Sequence, residues 1–123
     1  MSLPRITELL EMMNPTSIAP ADQATVSNVF VDVAGSKIDT EAKSKLVYTI
    51  KNTGAETISW KVLASVDDST YVEIEASADV LAAGESSWVA SATEISYRYF
   101  KIQVCDKVNG AHGAAQVRGY SKI

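Results

Sequence analysis

Two potentially reactive side chains lie close together in the sequence: Cys105, the only cysteine, and His112, the only histidine. A thiol nucleophile paired with histidine needs a lowered thiol pKa and a third group that orients the imidazole. Cys105 instead continues the alternating pattern of a strand, and His112 lies in a Gly-containing loop spanning 107–113. A zinc site would need carboxylates as further ligands, because there is no second histidine. We therefore interpret His112 as a solvated loop residue and predict neither a catalytic residue nor a metal site.

Two pairs of carboxylates are the next candidates for chemistry. Asp67 and Asp68 could attract a calcium ion, but the spacing of an EF-hand is absent and a self-bonded turn explains them more simply. Glu73 and Glu75 are two residues apart on one strand, and paired carboxylates can hydrolyse glycosides. On an exposed strand face such a pair is solvated charge. We predict a non-enzymatic protein without a cofactor.

Aromatic side chains are better candidates for a binding surface. Tyr71 and Tyr99 fall on the outward register of their strands, and Trp88 and Tyr97 are the further candidates. Exposed Tyr and Trp side chains stack on sugar rings or anchor protein interfaces. The alternative is that an N-terminal arm or a second subunit covers this face, and both interpretations stay open. The candidate interface or ligand surface comprises Tyr71, Trp88, Tyr97, Tyr99, Leu9 and Met13.

The first 25 residues differ from the rest of the chain. Helical spacing of apolar residues over 4–13 predicts a short helix. Asn14-Pro15 ends it, because a residue before proline avoids the α region. Residues 14–25 contain a second proline and are interpreted as an extended connector. We therefore divide the chain into an N-terminal helix and linker arm (1–25) and a β-domain (26–123).

From residue 26 onward the apolar pattern has the period of two that is typical of half-buried strands. Val29, Val31 and Val33 begin it, and a polar loop is expected over 34–44. Strands over 46–51 and 58–64, joined by a short loop with Asn52 and Gly54, are predicted to form a hairpin. Further along the chain, strands are predicted over 87–91 and 114–121. Further inward positions are predicted at Val72, Ile74, Phe100, Ile102 and Val104.

About seven to eight short strands without intervening helices predict an all-β fold. Closure of such strands gives an antiparallel β-sandwich, of either the immunoglobulin-like or the jelly-roll type. The 123-residue chain is long enough for one core without disulfides, and a single cysteine cannot form an internal one.

Charge and hydropathy exclude some partners. The net charge of −4 argues against a protein that binds the phosphate backbone of nucleic acid. It argues equally against binding to an anionic membrane surface. There is no apolar run of the ~20 residues that span a bilayer, and we see no secretory signal. We expect no nucleic-acid and no membrane partner.

Between residues 60 and 104 a recurrent set of turn and strand positions stands out: Ser65, Asp67, Tyr71 and Ile74, then Ala82, Ala83 and Gly84, then Tyr97, Arg98, Tyr99, Lys101 and Ile102. In these positions the sequence resembles small β-sandwich modules of tailed-bacteriophage virion proteins. Asp68 departs from the glycine that is usual in these modules, which leaves the turn type there open. The resemblance implies a structural virion protein without enzyme activity that works as a symmetric oligomer.

The leading hypothesis is thus a phage or prophage virion structural protein, associated with head or tail, that assembles with copies of itself and with other virion proteins. It would be found in the virion, or in the host cytoplasm before assembly. The alternative is a carbohydrate-binding module whose exposed aromatic residues stack on a glycan.

Overall fold

The computed structural model describes residues 16–41, 45–76, 82–90, 97–108 and 110–122. They form nine strands in two antiparallel sheets, which confirms the predicted all-β sandwich. The strands are β1 (Thr16–Ala24), β2 (Val31–Asp32), β3 (Ile38–Asp39), β4 (Lys45–Asn52), β5 (Ile58–Ser65), β6 (Val72–Ala76), β7 (Ser86–Ala90), β8 (Tyr99–Asp106) and β9 (Ala114–Lys122). The predicted N-terminal helix, with Leu9 and Met13, lies outside the described residues. The described part of the chain contains no helix with the length and apolar character to cross a membrane.

The order of the strands resolves the topology that the sequence left open. Sheet A has the order β1-β9-β4-β7, and sheet B has the order β2-β8-β5-β6, with β3 also paired to β8. Since β2 and β3 both pair with β8, they are two parts of one interrupted strand. Counted as one, they make the two four-stranded sheets of a jelly roll.

The core lies between the two sheets and follows the predicted alternation. Tyr48 of β4 is fully buried, and its single hydroxyl proton is shared between the carbonyls of Ser36 (2.7 Å) and Phe100 (3.0 Å), which joins sheet A to sheet B. Each large apolar side chain buried here contributes roughly 1.5–3 kcal/mol. The buried hydrophobic cluster comprises Ala21, Val33, Ile38, Leu46, Tyr48, Ile50, Ile58, Trp60, Val62, Ala64, Phe100, Ile102, Val104, Ala115 and Val117.

The predicted hairpin between residues 46–51 and 58–64 is wrong. Both strands exist with the predicted buried faces, but β4 belongs to sheet A and β5 to sheet B. The loop between them crosses the end of the sandwich, where Thr53 N–H donates to the Ala114 carbonyl. At Gly54 a Cβ would lie 2.6 Å from the Ala114 nitrogen, so the crossing requires glycine. Both strands could still bury the same alternate positions, because the two sheets face one core.

Two segments that we predicted to be loops contribute strands. β1 lies within the supposed connector 14–25 and pairs with β9, with an irregular register between Ile18 and Ala21 on either side of Pro20. Proline is tolerated there because β1 is at the edge of sheet A. The expected loop 34–44 contains β3, whose Ile38 is buried opposite Phe100.

Three apolar positions are more exposed than their alternation predicted. Val29 precedes β2 and is exposed, and Val72 and Ile74 of β6 are each 44% exposed. β6 is an edge strand, and its register with β5 shifts between Val62 and Leu63. The bulge and the edge position turn these side chains away from full burial.

Candidate functional site

The outer face of sheet B brings together two of the predicted aromatic residues. On β8, Phe100 and Ile102 point into the core, so Tyr99 and Lys101 lie on the outer face. Tyr71 enters from the end of the β5–β6 turn, and Lys101 Nζ lies 4.1 Å from the centroid of its ring. We call Tyr71, Tyr99, Lys37, Lys101 and Asp68 the tyrosine–lysine cluster.

The interruption between β2 and β3 builds one wall of a cleft beside this cluster. The chain leaves the edge of β8 at residues 33–37 in a turn where Gly35 adopts φ +84°, a conformation that favours glycine. The Ser36 hydroxyl ties the departing segment back by accepting the backbone N–H of Ile102 at 3.1 Å. Asp32 closes the start of the wall by accepting Lys101 Nζ at 3.0 Å.

The β5–β6 turn forms the opposite wall and confirms the predicted self-bonded turn. Asp67 Oδ1 accepts the backbone N–H groups of Thr70 (3.0 Å) and Ser69 (2.9 Å), and these bonds lower the pKa of Asp67. Asp68 adopts φ 62°, the left-handed conformation that glycine holds most easily. Asp68 therefore holds a conformation that glycine favours and adds a carboxylate.

That carboxylate organises the cluster. Asp68 accepts Lys37 Nζ at 2.8 Å and also accepts the Tyr71 hydroxyl, and these two bonds lower its pKa. The pKa of Tyr71 is raised by burial and by the bond to Asp68, so its phenol stays protonated. The cleft between the walls has a volume of about 460 Å³ and presents ammonium, carboxylate and hydroxyl groups to solvent.

Cations already lie against both tyrosine rings. Besides Lys101 against Tyr71, Arg98 lies 5.0 Å and Lys37 5.9 Å from the centroid of the Tyr99 ring. Arg98 is also held by Asp39, to which it donates two hydrogen bonds of 3.0 Å. These contacts engage the rings that we predicted to stack on sugars, so any ligand of the cleft would meet polar groups first.

The remaining predicted site residues are not part of this cluster. Tyr97 is half-buried and packs edge-on against Phe100, with the ring centroids 6.4 Å apart and the planes at 87°. The backbone of Trp88 lies in β7 opposite Thr49, and its side chain lies outside the described part of the structure.

At the opposite end of the sandwich, His112 is more than a solvated loop residue. Its Nδ1 lies 2.7 Å from Oδ2 of Asp106, whose side chain is fully buried at the end of β8. Burial alone would raise the pKa of Asp106, but bonds from Thr25, His112 and the Gly113 N–H outweigh it and lower that pKa. Asp106 occupies an inward register position after Val104, and a carboxylate there was the signal that our sequence reasoning missed.

Cys105 sits next to this carboxylate and is itself buried. Burial and the adjacent Asp106 charge both raise the pKa of its thiol, the opposite of what an activated nucleophile needs. Among the described residues, no group of three or more His, Cys, Asp or Glu side chains is arranged to hold a metal ion.

Comparison with known proteins gives fold relatives only. No family model and no curated protein matches the sequence. The PBSX exported protein XepA shares the fold with a TM-score of 0.59 at 12% identity, over 90% of this chain and 37% of XepA. A Yersinia pseudotuberculosis-derived mitogen shares the fold with a TM-score of 0.57 at 11% sequence identity, over 86% of each chain. The SPBc2 prophage-derived protein YomS shares the fold with a TM-score of 0.56 at 14% sequence identity, over 88% of this chain and 92% of YomS.

Proposed function

We propose that this chain is a non-enzymatic structural protein of a phage or prophage particle, associated with its head or tail, and that it acts by self-assembly. The observation that carries the proposal is the likeness to YomS, a prophage-derived protein, over almost the whole length of both chains. The resemblance to virion modules at residues 65–102 comes from the sequence and supports the same assignment. Because this is analogy at the level of fold, the side chains must be weighed beside it.

The side chains that could do chemistry are used in structural contacts. Asp67 caps its own turn, His112 binds the buried carboxylate of Asp106, and Cys105 is buried with a raised pKa. Jelly rolls of this kind recur in viral capsid proteins, where the fold supplies a rigid block. These contacts favour a building block over a catalyst.

The edge of sheet B offers a surface for assembly. β6 is the last strand in the order of sheet B, so one side of its backbone is not paired with any strand that the structure describes. Val72 and Ile74 on it are partly exposed, and Val66 in the preceding turn is 67% exposed. An apolar edge strand is a template for contact with another chain.

The first experiment is the solution mass of the full chain by light scattering coupled to size exclusion. A closed ring or larger oligomer supports the proposal, whereas a monomer at all concentrations contradicts it. A variant lacking residues 1–15 keeps β1 intact and tests the arm. If the arm contributes to subunit contacts, particles of this variant contain fewer subunits than particles of the full chain.

A glycan-binding function is the second candidate, and the cleft beside the tyrosine–lysine cluster is the observation that favours it. Its Lys, Asp and Ser side chains can bind sugar hydroxyls. A glycan array followed by calorimetry tests this candidate, with Ser69→Ala in the cleft and Ser87→Ala on β7 as the matched control. Binding that is weakened by the first variant alone supports the candidate, and no binding by the wild type across a broad panel rejects it.

A further inference from the structure

The outer face of sheet A carries an excess of positive charge. Leu46, Tyr48 and Ile50 of β4 point into the core, and so do the alternate residues of β9. The residues between them face outward, and they include four exposed cations: Lys45, Lys51, Arg118 and Lys122. We call these four residues, with the adjacent Val47 and Tyr120, the basic face.

The basic face is not neutralised within the described residues. None of its four cations forms an ion pair there, and Lys45 lies directly opposite Lys122 in the register of the two strands. The carboxylate of Asp22 on β1 accepts a hydrogen bond from Gln116 instead. Like charges directly opposite each other destabilise a sheet, so this arrangement lowers the stability of the isolated chain. An anionic partner bound to the basic face would relieve that repulsion.

An acidic surface lies on the other sheet of the same molecule. Five carboxylates surround the β5–β6 turn and the end of β3, against the three cations that pair with them, Lys37, Lys61 and Arg98. The nearby Lys101 is paired with Asp32 and leaves this balance unchanged. Glu41 among them is 68% exposed at its side chain although it binds Arg98. We call the carboxylates of this surface the acidic rim: Asp39, Glu41, Asp67, Asp68 and Glu73.

We propose that the basic face binds the acidic rim of a second copy of this chain, so that copies associate head to tail. The proposal rests on the self-assembly proposed above and names the surfaces that perform it. The two surfaces belong to different sheets, so the contact is heterologous, and repetition of such a contact generates a ring or a filament.

A second copy fits the basic face better than a polyanion does. The chain has a net charge of −4, which repels a polyanion at long range. The same excess of carboxylates means that each copy can supply anionic groups to the basic face of another copy. In the middle of the face Tyr120, 38% exposed, lies directly opposite Val47. An apolar centre with a tyrosine, surrounded by charge, is typical of a protein interface.

The test uses neutralising substitutions on each surface. One variant carries Lys51→Gln and Arg118→Gln, the other carries Glu41→Gln and Glu73→Gln, and Lys107→Gln in an exposed loop is the control. All changed side chains are exposed, and circular dichroism verifies that each variant is folded. Masses are measured by light scattering in about 50 mM and about 500 mM NaCl, where the screening length differs severalfold.

We expect the wild type and the control to form oligomers that dissociate at high salt. Each double variant alone should be monomeric at low salt, because it keeps only one of the two surfaces. A mixture of the two should stop at dimers, since the intact basic face of one meets the intact rim of the other. A mixture that stays monomeric contradicts a contact between the basic face and the acidic rim.

Other results overturn the inference in distinguishable ways. If the wild type forms oligomers whose mass is the same at both salt concentrations, and both double variants form the same oligomers, the head-to-tail contact is contradicted but self-assembly is not. A wild type that is monomeric throughout contradicts self-assembly itself. If a single-stranded oligonucleotide or heparin binds the monomer, and Lys51→Gln with Arg118→Gln abolishes that binding, the basic face serves a polyanion and the inference is wrong.

Discussion

The cations on the two outer faces of the sandwich differ in whether they are paired within the fold. On sheet B, Lys61 and Lys101 each lie beside a carboxylate and against an aromatic ring, Phe30 and Tyr71 respectively. On sheet A, the four cations of the basic face have no ion-pair partner among the described residues.

This difference separates cations that hold the fold from cations that are open to a partner. The cations beside the cleft tie its parts together: Lys37 joins the two walls by its bond to Asp68, and Lys101 of β8 is bonded to Asp32. The cations of sheet A bind nothing that the structure describes, and two of them face each other. We therefore expect charge changes on the two faces to have different consequences, while the core between them serves both sheets equally.

The largest effects should come from that shared core. Ile50 on sheet A and Ile102 on sheet B are both completely buried. Truncation of either to alanine should lower the free energy of unfolding by about 2–5 kcal/mol, through lost burial and the cavity left behind. Urea denaturation measures both. A large cost on one sheet and almost none on the other would show that the sheets do not share one core.

The next largest effect should come from the hydroxyl that joins the sheets. Tyr48→Phe removes the donor to two buried carbonyls and should cost about 1–2 kcal/mol of unfolding free energy. Tyr120→Phe, on the basic face, is the matched control and should change stability by less than about 0.5 kcal/mol. Equal effects of the two substitutions would contradict the bridging role of Tyr48.

Acid should weaken the sheet B side of the molecule. Hydrogen bonds from Arg98 lower the pKa of Asp39 below its unfolded value, so its stabilisation is complete above that value and is lost as the pH falls through the folded pKa. Unfolding free energy should therefore decline below about pH 4. Asp39→Asn should reduce that decline, and Glu56→Gln is the control for loss of one carboxylate. An unchanged pH slope in Asp39→Asn would contradict the prediction.

The smallest effects should distinguish the two faces directly. Lys101→Met removes an ion pair and a contact with Tyr71, and should cost about 0.5–1 kcal/mol, because the lysine is only 20% exposed. Lys122→Met relieves repulsion with Lys45 and should be neutral or stabilising by about 0.3 kcal/mol. Thermal unfolding of both variants checks this. If Lys122→Met cost as much as Lys101→Met, the basic face would have a partner within the chain.

Predictions from the sequence succeeded where they depended on one strand at a time. The alternation in β4, β5 and β8 identified Tyr48, Trp60 and Ile102 as buried. Predictions failed where pairing decided the outcome: β4 and β5 are neighbours in sequence but lie in different sheets. Alternation reports which side of a strand is buried, and it is the same for a hairpin and for two strands that face each other across a core.

The candidate site follows the same division. Tyr71 and Tyr99 were found from their outward register, but their companions Lys37 and Asp68 are 31 residues apart and meet only in the fold. The buried Asp106 was visible as a charge at an inward position, yet its partner Thr25 comes from the other end of the chain.

By itself, then, the sequence determined the all-β class, the inward face of most strands, the turn at Asp67 and the absence of an internal disulfide. These features depend on residue type and on neighbours a few positions away. Only the tertiary structure decided the jelly-roll order, the cleft beside the tyrosine–lysine cluster and the contrast between the two outer faces. Those depend on which distant strands lie side by side, and that is settled by the closure of the whole core, not by any local pattern.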